Sequence, residues 1–373
     1  MTLALALVVF LFAYPFLVYP LIMRLAPLRR RAGADIPHTP ELAMVICALN
    51  EERIIRDKLT NTFDLDYPAG RLTVYFVNDG STDRTLEIAR EFVPRGLVVI
   101  DRPRRMGKVA NLNAVIPTLR QEFVVLSDAN VIYDRQALRH LTAPLADPSI
   151  GCVSGKVVLV DTTASLRQSE GIYYSIEWLL QQKASDLYSM CGADGAMYAF
   201  RRTLFRPCPP DTLIEDFVLP MQIVGQGYRA LFEPGATAWE HGPSSLAEEY
   251  KRKVRIAAGS TQALLRANGV PRNAPLRFWF IWISHKLMRW LSPLFGLLMI
   301  AVAIAALPAM ASKAVLAFWA AVALLALVRW LTGLSSPVLN VPFYFLFSQI
   351  AMAIGLWRGL AGRQSVLWEK ANR

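Results

Sequence analysis

The sequence predicts an α/β domain with a mostly parallel, Rossmann-like sheet, held on the cytoplasmic side of a membrane by helices at both ends of the chain. Two observations predict this fold class. Short apolar runs alternate with helix-like stretches between residues 42 and 126, as in a parallel sheet covered by helices. Long uncharged runs occur at both ends, and none of that length lies between residues 34 and 275.

The composition indicates a membrane protein rather than an ordinary soluble enzyme. Hydrophobic residues make up 54% of the 373 residues, and the mean hydropathy is +0.32. Soluble domains are usually less apolar than this. The length allows one large domain or two smaller ones.

The N-terminal run from Leu3 to Met23 is uncharged and long enough to span a bilayer. A cleaved signal peptide is the alternative, but it needs a basic segment before the apolar run and a small-residue cleavage site after it. Here the basic residues follow the run, at Arg24 and at residues 29–31. Because cytoplasmic flanks are enriched in Lys and Arg, we predict an uncleaved anchor in the inner membrane, followed by a cytoplasmic domain.

Three further apolar runs follow the central domain, at Trp290–Met310, Ala314–Leu331 and Val338–Trp357. Before them, Pro275–Trp290 mixes aromatic and basic residues, which is typical of a helix lying in the membrane interface; His285 is expected at headgroup level there. If all three runs cross, the basic tail lies outside, against the positive-inside tendency. Either one run lies in the interface or this tail is an exception.

The predicted layout has five parts. They are an N-terminal transmembrane anchor (1–24), a cytoplasmic domain (25–270), interfacial amphipathic helices (271–289), two or three C-terminal transmembrane segments (290–358) and a basic tail (359–373).

The net charge of +11 does not require a nucleic-acid partner. Much of the basic excess lies beside the apolar segments, where anionic lipid headgroups account for it, so membrane lipids are expected partners and nucleic acid is not. The four cysteines have no paired spacing. This predicts reduced thiols and no zinc site.

Polar residues follow the ends of the predicted strands. Asn50, Asp79 and Asp128 follow three of the four strands, which are predicted at residues 42–48, 72–77, 97–100 and 123–126. Ligands of open α/β sheets bind beyond the carboxyl ends of the strands, so this edge is the predicted binding site. Ser81 or Thr82 is expected to cap the helix after the second strand.

The stretch "SDAN" places Asp128 and Asn130 two residues apart after a buried strand. Side chains at that spacing point the same way in an extended chain, and their oxygens suit Mg²⁺ or Mn²⁺ shared with a substrate phosphate. A plain polar loop is the alternative.

The stretch "RPRRMGKVANLN" sets basic residues around Gly107, including Lys108, at the start of a predicted helix. Such a loop is suited to binding phosphate, although a solvated run of charge has the same composition. The spacing is not that of a P-loop, and no G-x-G-x-x-G follows the first strand. Neither a P-loop NTPase nor a nicotinamide dehydrogenase is therefore expected.

Two more charged stretches are candidates. Glu215 and Asp216 lie inside the apolar stretch "LIEDFVL", where a carboxylate is costly unless it is paired or functional and can act as a general base; an acid pair at a helix N-terminus is the alternative. In "EYKRKVRIAAG", Arg252 and Arg255 share a face if the segment is helical. They would then bind a diphosphate, unless the stretch is simply a basic patch beside the membrane.

Taken in this order, the motifs resemble those of membrane-integrated family-2 glycosyltransferases with a GT-A domain. That group contains poly-N-acetylglucosamine, cellulose and hyaluronan synthases and related single-transfer enzymes. The resemblance runs from about Leu42 to Arg289, and includes "ALNEE", "VNDGSTD", "CGADGAMYAFRR" and "IEDF". It implies a GT-A fold.

The resemblance also implies a role for each motif. The implied sites are nucleotide binding at Asn50, Glu51, Asp79, Lys108 and Arg255; a Mg²⁺ or Mn²⁺ site at Asp128 and Asn130; acceptor binding at Cys191, Gly192 and Glu215; and a catalytic base at Asp216. Two positions depart from the family pattern. Asn130 replaces the second carboxylate of the D-x-D motif, and Ile256 replaces the tryptophan that follows the arginine in polymerising enzymes.

The expected activity is inverting transfer from a nucleotide sugar, with UDP-sugars as the expected donors, to a cell-surface polysaccharide at the inner membrane face. Transfer of a single sugar to a lipid-linked acceptor is the second possibility, and a non-catalytic protein that binds a nucleotide sugar or a partner synthase is the third. The sequence does not decide whether partner subunits are required, which sugar is moved or which linkage is made.

Overall fold

The computed structural model describes residues 2–26, 38–160, 164–243 and 245–367. The basic cluster at residues 29–31 lies outside the described residues, as do Lys370 and Arg373 of the basic tail.

Eight strands form one sheet in the described part of the chain. They are β1 (Leu42–Ala48), β2 (Leu72–Asp79), β3 (Val98–Arg102), β4 (Phe123–Asp128), β5 (Val131–Tyr133), β6 (Ile150–Val160), β7 (Met197–Arg201) and β8 (Arg229–His241).

The helices surround this sheet or lie at the two ends of the chain. They are α1 (Thr2–Ala13), α2 (Tyr19–Leu25), α3 (Ile55–Phe63), α4 (Thr85–Arg90), α5 (Lys108–Val115), α6 (Ala137–Thr142), α7 (Ala164–Leu187), α8 (Glu215–Gly225), α9 (Leu246–Leu265), α10 (Leu276–Trp282), α11 (Met288–Trp290), α12 (Ser292–Ala305), α13 (Met310–Thr332) and α14 (Pro337–Leu360). Single π-helical turns at Tyr14–Val18 and Ile283–Leu287 join α1 to α2 and α10 to α11.

The sheet order is β3-β2-β1-β4-β7-β6-β8-β5. Strands β1 to β4 pair in parallel, as predicted. The sheet as a whole is nevertheless mixed, because β7 is antiparallel to β4 and β6, and β5 is antiparallel to β8. The chain after β6 passes through α7 and returns to the edge at which β6 ended, and a strand that starts from that edge runs antiparallel.

The central strands were readable because β1 and β4 are buried on both faces and β2 largely so, whereas β3, at the edge of the sheet, is only partly buried. Ala43 and Val45 of β1 pack into one core layer, with residues of α5, α7, α8 and α10. Leu42, Met44 and Ile46 pack into the other, with residues of α3, α4 and α6. Successive side chains of a strand point to opposite faces, so a strand covered on both sides appears as a continuous apolar run.

The predicted cap of α4 is wrong. The helix begins at Thr85, and Asp83 Oδ1 accepts a hydrogen bond from the Thr85 N–H at 3.0 Å. Ser81 Oγ instead accepts from the Asn50 N–H at 3.0 Å, and the Thr82 N–H donates to Asn50 Oδ1 at 2.7 Å. These residues therefore join the loops after β1 and β2, which positions the edge of the sheet where a ligand is expected.

Three stretches of the described residues are long and apolar enough to cross a membrane: residues 3–25, α13 and α14. Residues 276–290 and 292–305 make a fourth candidate only as a pair, bent by 61°. The uninterrupted span predicted for Trp290–Met310 is wrong, because the 14 residues of α12 end at Ala305. A helix of that length reaches about 21 Å, short of the roughly 30 Å hydrocarbon core.

His285, predicted at headgroup level, has its side chain packed inside the protein. Its side chain is 1% exposed, and Nε2 lies 3.1 Å from the Glu177 carboxylate of α7. The neighbouring residues Phe278, Ile281 and Trp282 are buried in the first core layer. The segment is thus packed against the sheet domain along one side.

Helix α14 packs very closely against α9. A Cβ on Gly355 would lie 2.5 Å from both Ala257 Cβ and the Val254 carbonyl oxygen, and a Cβ on Gly359 would lie 2.6 Å from Thr261 Cβ. Small residues four apart permit such an approach between helices. The apolar helix α14 therefore fixes the position of α9, which carries Arg255.

We expect Gly355→Ala to lower the free energy of unfolding by about 1–3 kcal/mol, because the added methyl group has to separate α14 from α9. Thermal unfolding of the purified protein in detergent measures this. Gly225→Ala is the matched control, since its Cβ would meet Pro271 Cα at an ordinary 3.7 Å. Equal unfolding temperatures for the two variants would show that the close contact is not present.

Candidate functional site

Asp79, at the end of β2, binds the basic loop that follows β3. Its carboxylate accepts hydrogen bonds from the Met106 N–H at 2.7 Å, the Gly107 N–H at 3.0 Å and Asn111 Nδ2 at 2.7 Å. Gly80 lets the loop approach, because it has φ +75° and a Cβ there would lie 2.8 Å from the backbone nitrogen of Arg105. The strand therefore ends in an acid that sets the position of the phosphate-binding candidate.

Asn50 and Glu51 lie on the neighbouring loop after β1. Asn50 has a positive φ of 56°, which asparagine tolerates better than most residues. The Glu51 N–H donates to Thr85 Oγ1 at 2.6 Å. The loop after β1 is therefore held against the start of α4, at the same edge of the sheet as Asp79.

Lys108 is the centre of the charged cluster at this edge. Its Nζ lies 2.7 Å from Asp128 Oδ1 and 2.8 Å from Glu215 Oε1. Burial opposes its charge, but Asp128 and Glu215 hold the pKa of Lys108 well above its usual value. Burial would raise the pKa of Glu215, yet Lys108 lowers it below the usual value. A cation and two acids from three distant parts of the chain thus meet here.

Asp216 differs from its neighbour Glu215 in its titration. Burial, followed by the Glu215 charge, raises the pKa of Asp216 to about 6, although Lys108 and Arg255 act in the opposite direction. This places the carboxyl near the pKa expected of a general base at neutral pH. Two adjacent acids thereby acquire different properties: Glu215 stays ionised, while Asp216 is able to exchange a proton.

The segment that contains Cys191 and Gly192 lies against Asp216. The Ala193 N–H donates to the Asp216 carbonyl oxygen at 2.8 Å, and a Cβ on Gly195 would lie 3.1 Å from Asp216 Oδ2. Cys191 is buried, and burial holds the pKa of its thiol above the usual value. The thiol is therefore neutral at physiological pH and can take part in packing or hydrogen bonding beside the reacting groups.

The side chains of Arg255 and Arg252 lie beside different acidic residues. Arg255, on α9, lies close enough to Glu215 and Asp216 to lower the pKa of both. Arg252 instead forms an ion pair with Glu249 at 2.8 Å. The two arginines thus have different carboxylate neighbours, and their joint binding of one diphosphate stays a prediction. Ile256, where the family pattern has tryptophan, is exposed.

Sequence reasoning missed two acids of the site, Asp194 and Glu240. Burial, followed by the charges of Glu240, Asp216 and Asp128, raises the pKa of Asp194 to about 7. Glu240 Oε1 accepts a hydrogen bond from Asn130 Nδ2 at 2.8 Å. Asp194 was visible in the stretch "CGADG", but nothing in the sequence places Glu240, at the far end of β8, beside the turn between β4 and β5.

A buried lysine supports the turn that carries Asp128 and Asn130. Lys58 Nζ donates to Ser127 Oγ at 2.8 Å and to the Val131 carbonyl at 2.7 Å. Burial lowers the pKa of Lys58 to about 7. Lys58 was also missed, because it lies within the helical stretch α3, where a lysine is usually solvated.

The oxygen donors around this turn fit a hard divalent cation. Asp128 supplies a carboxylate and Asn130 an amide oxygen, because the Asn130 amide nitrogen is the atom directed to Glu240. Within the described ranges, no three His, Cys, Asp or Glu side chains are grouped closely enough to hold a metal alone. Mg²⁺ usually binds through one or two protein ligands and shares the rest with substrate phosphate and water, so the two donors of this turn suit such a site.

Comparison with known proteins indicates the family of the chain. A family model described as "Glycosyltransferase like family 2" matches residues 40–259, more than half of the chain. The probable glycosyltransferase YdaM of Bacillus subtilis is 27% identical over 246 residues, 62% of this chain and 58% of that protein. The poly-β-1,6-N-acetyl-D-glucosamine synthase of Staphylococcus aureus strain COL is 24% identical over 245 residues, 64% of this chain and 59% of that protein. The chain thus aligns with under two thirds of the length of these relatives.

One solved structure resembles the whole chain. The mannosyltransferase PcManGT from Pyrobaculum calidifontis, in complex with GDP-Man and Mn²⁺, superposes with a TM-score of 0.75 over 97% of this chain and 100% of that one. At 23% identity the similarity shows the fold, a GT-A glycosyltransferase domain with flanking apolar helices.

Proposed function

Because the chain belongs to glycosyltransferase family 2, we propose that it transfers a sugar with inversion from a nucleotide sugar, with UDP-sugars as the expected donors, to a cell-surface polysaccharide at the inner membrane face. The observation that carries this proposal is the meeting of Lys108, Asp128 and Glu215, with contacts of 2.7 and 2.8 Å, beside Asp216. These groups supply the charge and the base that the reaction needs.

In the proposed reaction Asp216 takes the proton of an acceptor hydroxyl. The hydroxyl oxygen then forms a bond to the anomeric carbon while the bond from that carbon to the nucleotide diphosphate breaks, so the configuration inverts. The raised pKa of Asp216, about 6, leaves the carboxylate available at neutral pH and basic enough to accept the proton. Cys191, Gly192 and Glu215 bind the acceptor beside it.

The donor lies along the carboxyl edge of β1, β2 and β4. We assign nucleotide binding to Asn50, Glu51 and Asp79, and the diphosphate to Lys108 and Arg255. Lys108 has the most direct role, because its ammonium group can move from the two acids to the diphosphate oxygens as negative charge develops there.

Asp128 and Asn130 would hold Mg²⁺ or Mn²⁺ together with the diphosphate. The cation would neutralise the negative charge that develops on the leaving diphosphate. Asn130 contributes no charge, so the protein offers this cation one carboxylate fewer than a D-x-D motif would.

Two acceptors remain in consideration. The name of the staphylococcal relative, a poly-β-1,6-N-acetyl-D-glucosamine synthase, supports a polysaccharide. Ile256, in place of the aromatic residue of polymerising enzymes, supports transfer of a single sugar to a lipid-linked acceptor. Product size separates them, because one nucleotide sugar gives a ladder in the first case and one added sugar in the second.

The proposed location is the inner membrane, with the catalytic domain cytoplasmic. Leu367 Cδ2 lies 3.8 Å from the position of a Cβ on Gly107, so the chain after α14 returns to the catalytic domain. A chain that leaves a domain and returns to it crosses the bilayer an even number of times. We therefore propose an even number of crossings between residues 276 and 360. The basic tail then lies inside, in agreement with the charge rule.

The proposed layout otherwise keeps the predicted parts, with an anchor at 1–24, the catalytic domain at 25–270, interfacial helices at 271–289, C-terminal apolar helices at 290–358 and a basic tail at 359–373. Membrane lipids are thus proposed partners, beside the donor and the glycan.

The first experiment presents the purified protein with a panel of UDP- and GDP-sugars, Mg²⁺ or Mn²⁺, and a membrane extract that supplies both lipid-linked and glycan acceptors. We expect release of the nucleotide diphosphate from one sugar class, and we expect Asp128→Ala to abolish it. Release that survives this change would contradict the metal assignment. No release with any donor would favour the third reading, a protein that only binds a nucleotide sugar or a partner synthase.

A further inference from the structure

A second charged cluster lies between the catalytic domain and the apolar helices. We define the Glu177 cluster as Glu177 of α7, His285, Lys286 and Arg289 of the bent pair, and Tyr19 of α2. The Glu177 carboxylate lies 2.7 Å from Arg289 Nη1, 3.1 Å from His285 Nε2 and 3.6 Å from Lys286 Nζ. None of these residues takes part in the reaction described above.

The Glu177 cluster contains more positive than negative charge. Burial opposes the ionisation of Glu177, but His285, Arg289 and Lys286 hold its pKa well below the usual value. One carboxylate therefore faces two permanent cations. The Lys286 and Arg289 side chains remain 20% and 15% exposed, so an anion can approach them.

Two polar atoms of the cluster have unused hydrogen-bonding capacity. Tyr19 is fully buried and His285 is 1% exposed. In the described part of the chain, neither Tyr19 Oη nor His285 Nδ1 has a hydrogen-bond partner. Buried polar atoms are normally paired, so these atoms point to a ligand or ordered water.

The position of the cluster suits the head of a lipid. It lies where the apolar stretch of residues 3–25 meets the domain, and the segments that form it carry exposed apolar side chains at Leu21, Leu25, Leu276 and Ile283. Both segments that meet here contain a π-helical turn, a feature that is frequent at functional sites. Tyr14 Oη and Ser284 Oγ join the two turns at 2.8 Å.

The cluster also adjoins the proposed acceptor site. The ring of Trp290, the neighbour of Arg289, packs on the ring of Phe217, the neighbour of Asp216, with centroids 5.1 Å apart. The segment after Cys191 also contacts Asp216. A phosphate held by the cluster would therefore place the group attached to it on the acceptor side of the base.

We propose that Lys286 and Arg289 bind the phosphate of a lipid-linked acceptor, with Tyr19 and His285 as additional hydrogen-bonding groups. The proposal rests on the transfer reaction proposed above and names the anchor of its acceptor. It holds whether the lipid-linked glycan receives one sugar or many. Glu177 forms ion pairs with both cations when the phosphate is absent, and it therefore competes with the phosphate for them.

The test measures binding, so that it does not depend on transfer. The protein in detergent is titrated with undecaprenyl phosphate, with the uncharged undecaprenol and with phosphatidylglycerol. We expect the polyprenyl phosphate to bind more tightly than the other two. Equal binding of the uncharged lipid would overturn the phosphate site, and equal binding of phosphatidylglycerol would overturn the assignment to an acceptor rather than an ordinary headgroup.

Substitutions that remove positive charge and one that removes negative charge should change the affinity in opposite directions. Lys286→Gln with Arg289→Gln should weaken binding of undecaprenyl phosphate roughly 10- to 100-fold, because charge-assisted hydrogen bonds are lost. Glu177→Gln should tighten it, since the competing carboxylate is gone. Lys313→Gln, an exposed lysine at the start of α13, is the matched control.

A purely structural ion-pair network predicts another outcome. All the cluster variants would then lower the unfolding temperature and none would change affinity for undecaprenyl phosphate, which would overturn the proposal. If the double variant does not fold, the sign of the Glu177→Gln effect decides. Release of nucleotide diphosphate by the wild-type protein is measured separately with a membrane lipid extract as acceptor. Its absence, with binding of undecaprenyl phosphate intact, would count against the transferase function alone.

Discussion

Replacing Asp216 with asparagine is expected to lower turnover about 10²- to 10⁴-fold, the usual loss when a general base is removed. The amide keeps the size of the side chain and cannot take the proton of the acceptor hydroxyl. Steady-state release of nucleotide diphosphate in the presence of acceptor measures the loss. Near-normal turnover in the variant would remove Asp216 from the role of base.

The pH profile adds a second test of the same residue. Burial and the Glu215 charge raise the pKa of Asp216 to about 6, and only the ionised form acts as a base. The rate should therefore fall as pH drops through 6, to roughly a tenth at pH 5. Asp216→Asn should lose this step.

Asp211→Asn is the matched control for Asp216→Asn. Asp211 lies five residues earlier in the same segment, and its carboxylate is 53% exposed in an ion pair with Arg266. Surface pairs of this kind contribute little, so its removal should change neither turnover nor the pH profile. A similar loss in both variants would indicate that general damage to the segment, rather than removal of the base, slows the reaction.

The part of the fold that could be predicted is the part with a simple repeating pattern. Strands β1 and β4 are buried on both faces and β2 largely so, so their apolar runs were visible without further information. The end of α12 was not predicted, because the run from Trp290 to Met310 is apolar throughout. Pro308 was the available signal, since it lies in the turn that separates α12 from α13.

The individual residues of the candidate site were predicted from the sequence, but the contacts between them were not. Lys108 was expected near a diphosphate, yet its contacts with Asp128 and Glu215 depend on the meeting of β4, α5 and α8. Asp194 and Glu240 were missed for a related reason. Their significance comes from neighbours distant in sequence, and a single sequence does not reveal which distant segments meet.

A substitution of Lys108 gives the strongest test of whether β4, α5 and α8 meet at this site. We expect Lys108→Met to lower turnover roughly 10²- to 10³-fold through loss of a charge aimed at the leaving group, and also to lower the free energy of unfolding by about 1–3 kcal/mol at pH 7. The second effect arises because Glu215, with a side chain only 8% exposed, would be left buried without its cation. Release of nucleotide diphosphate measures the first effect and unfolding of the purified protein measures the second. Lys313→Met, at an exposed position of α13, is the control.

The pH dependence of stability tests whether Lys108 and Glu215 are in contact. In the wild type Lys108 holds the pKa of Glu215 below its usual 4.5, so the pair contributes stability above that value and loses it as pH falls through the folded-state pKa. In Lys108→Met the largest favourable charge is lost, and we expect burial, the largest effect on Glu215, to raise its pKa despite Arg255. The variant should then lose stability as pH rises through 4.5. The difference in unfolding temperature between the wild type and Lys108→Met should therefore increase from pH 4.5 to pH 7. A constant difference across that range would mean that Lys108 and Glu215 are not in contact, and the donor site proposed around them would have to be placed elsewhere.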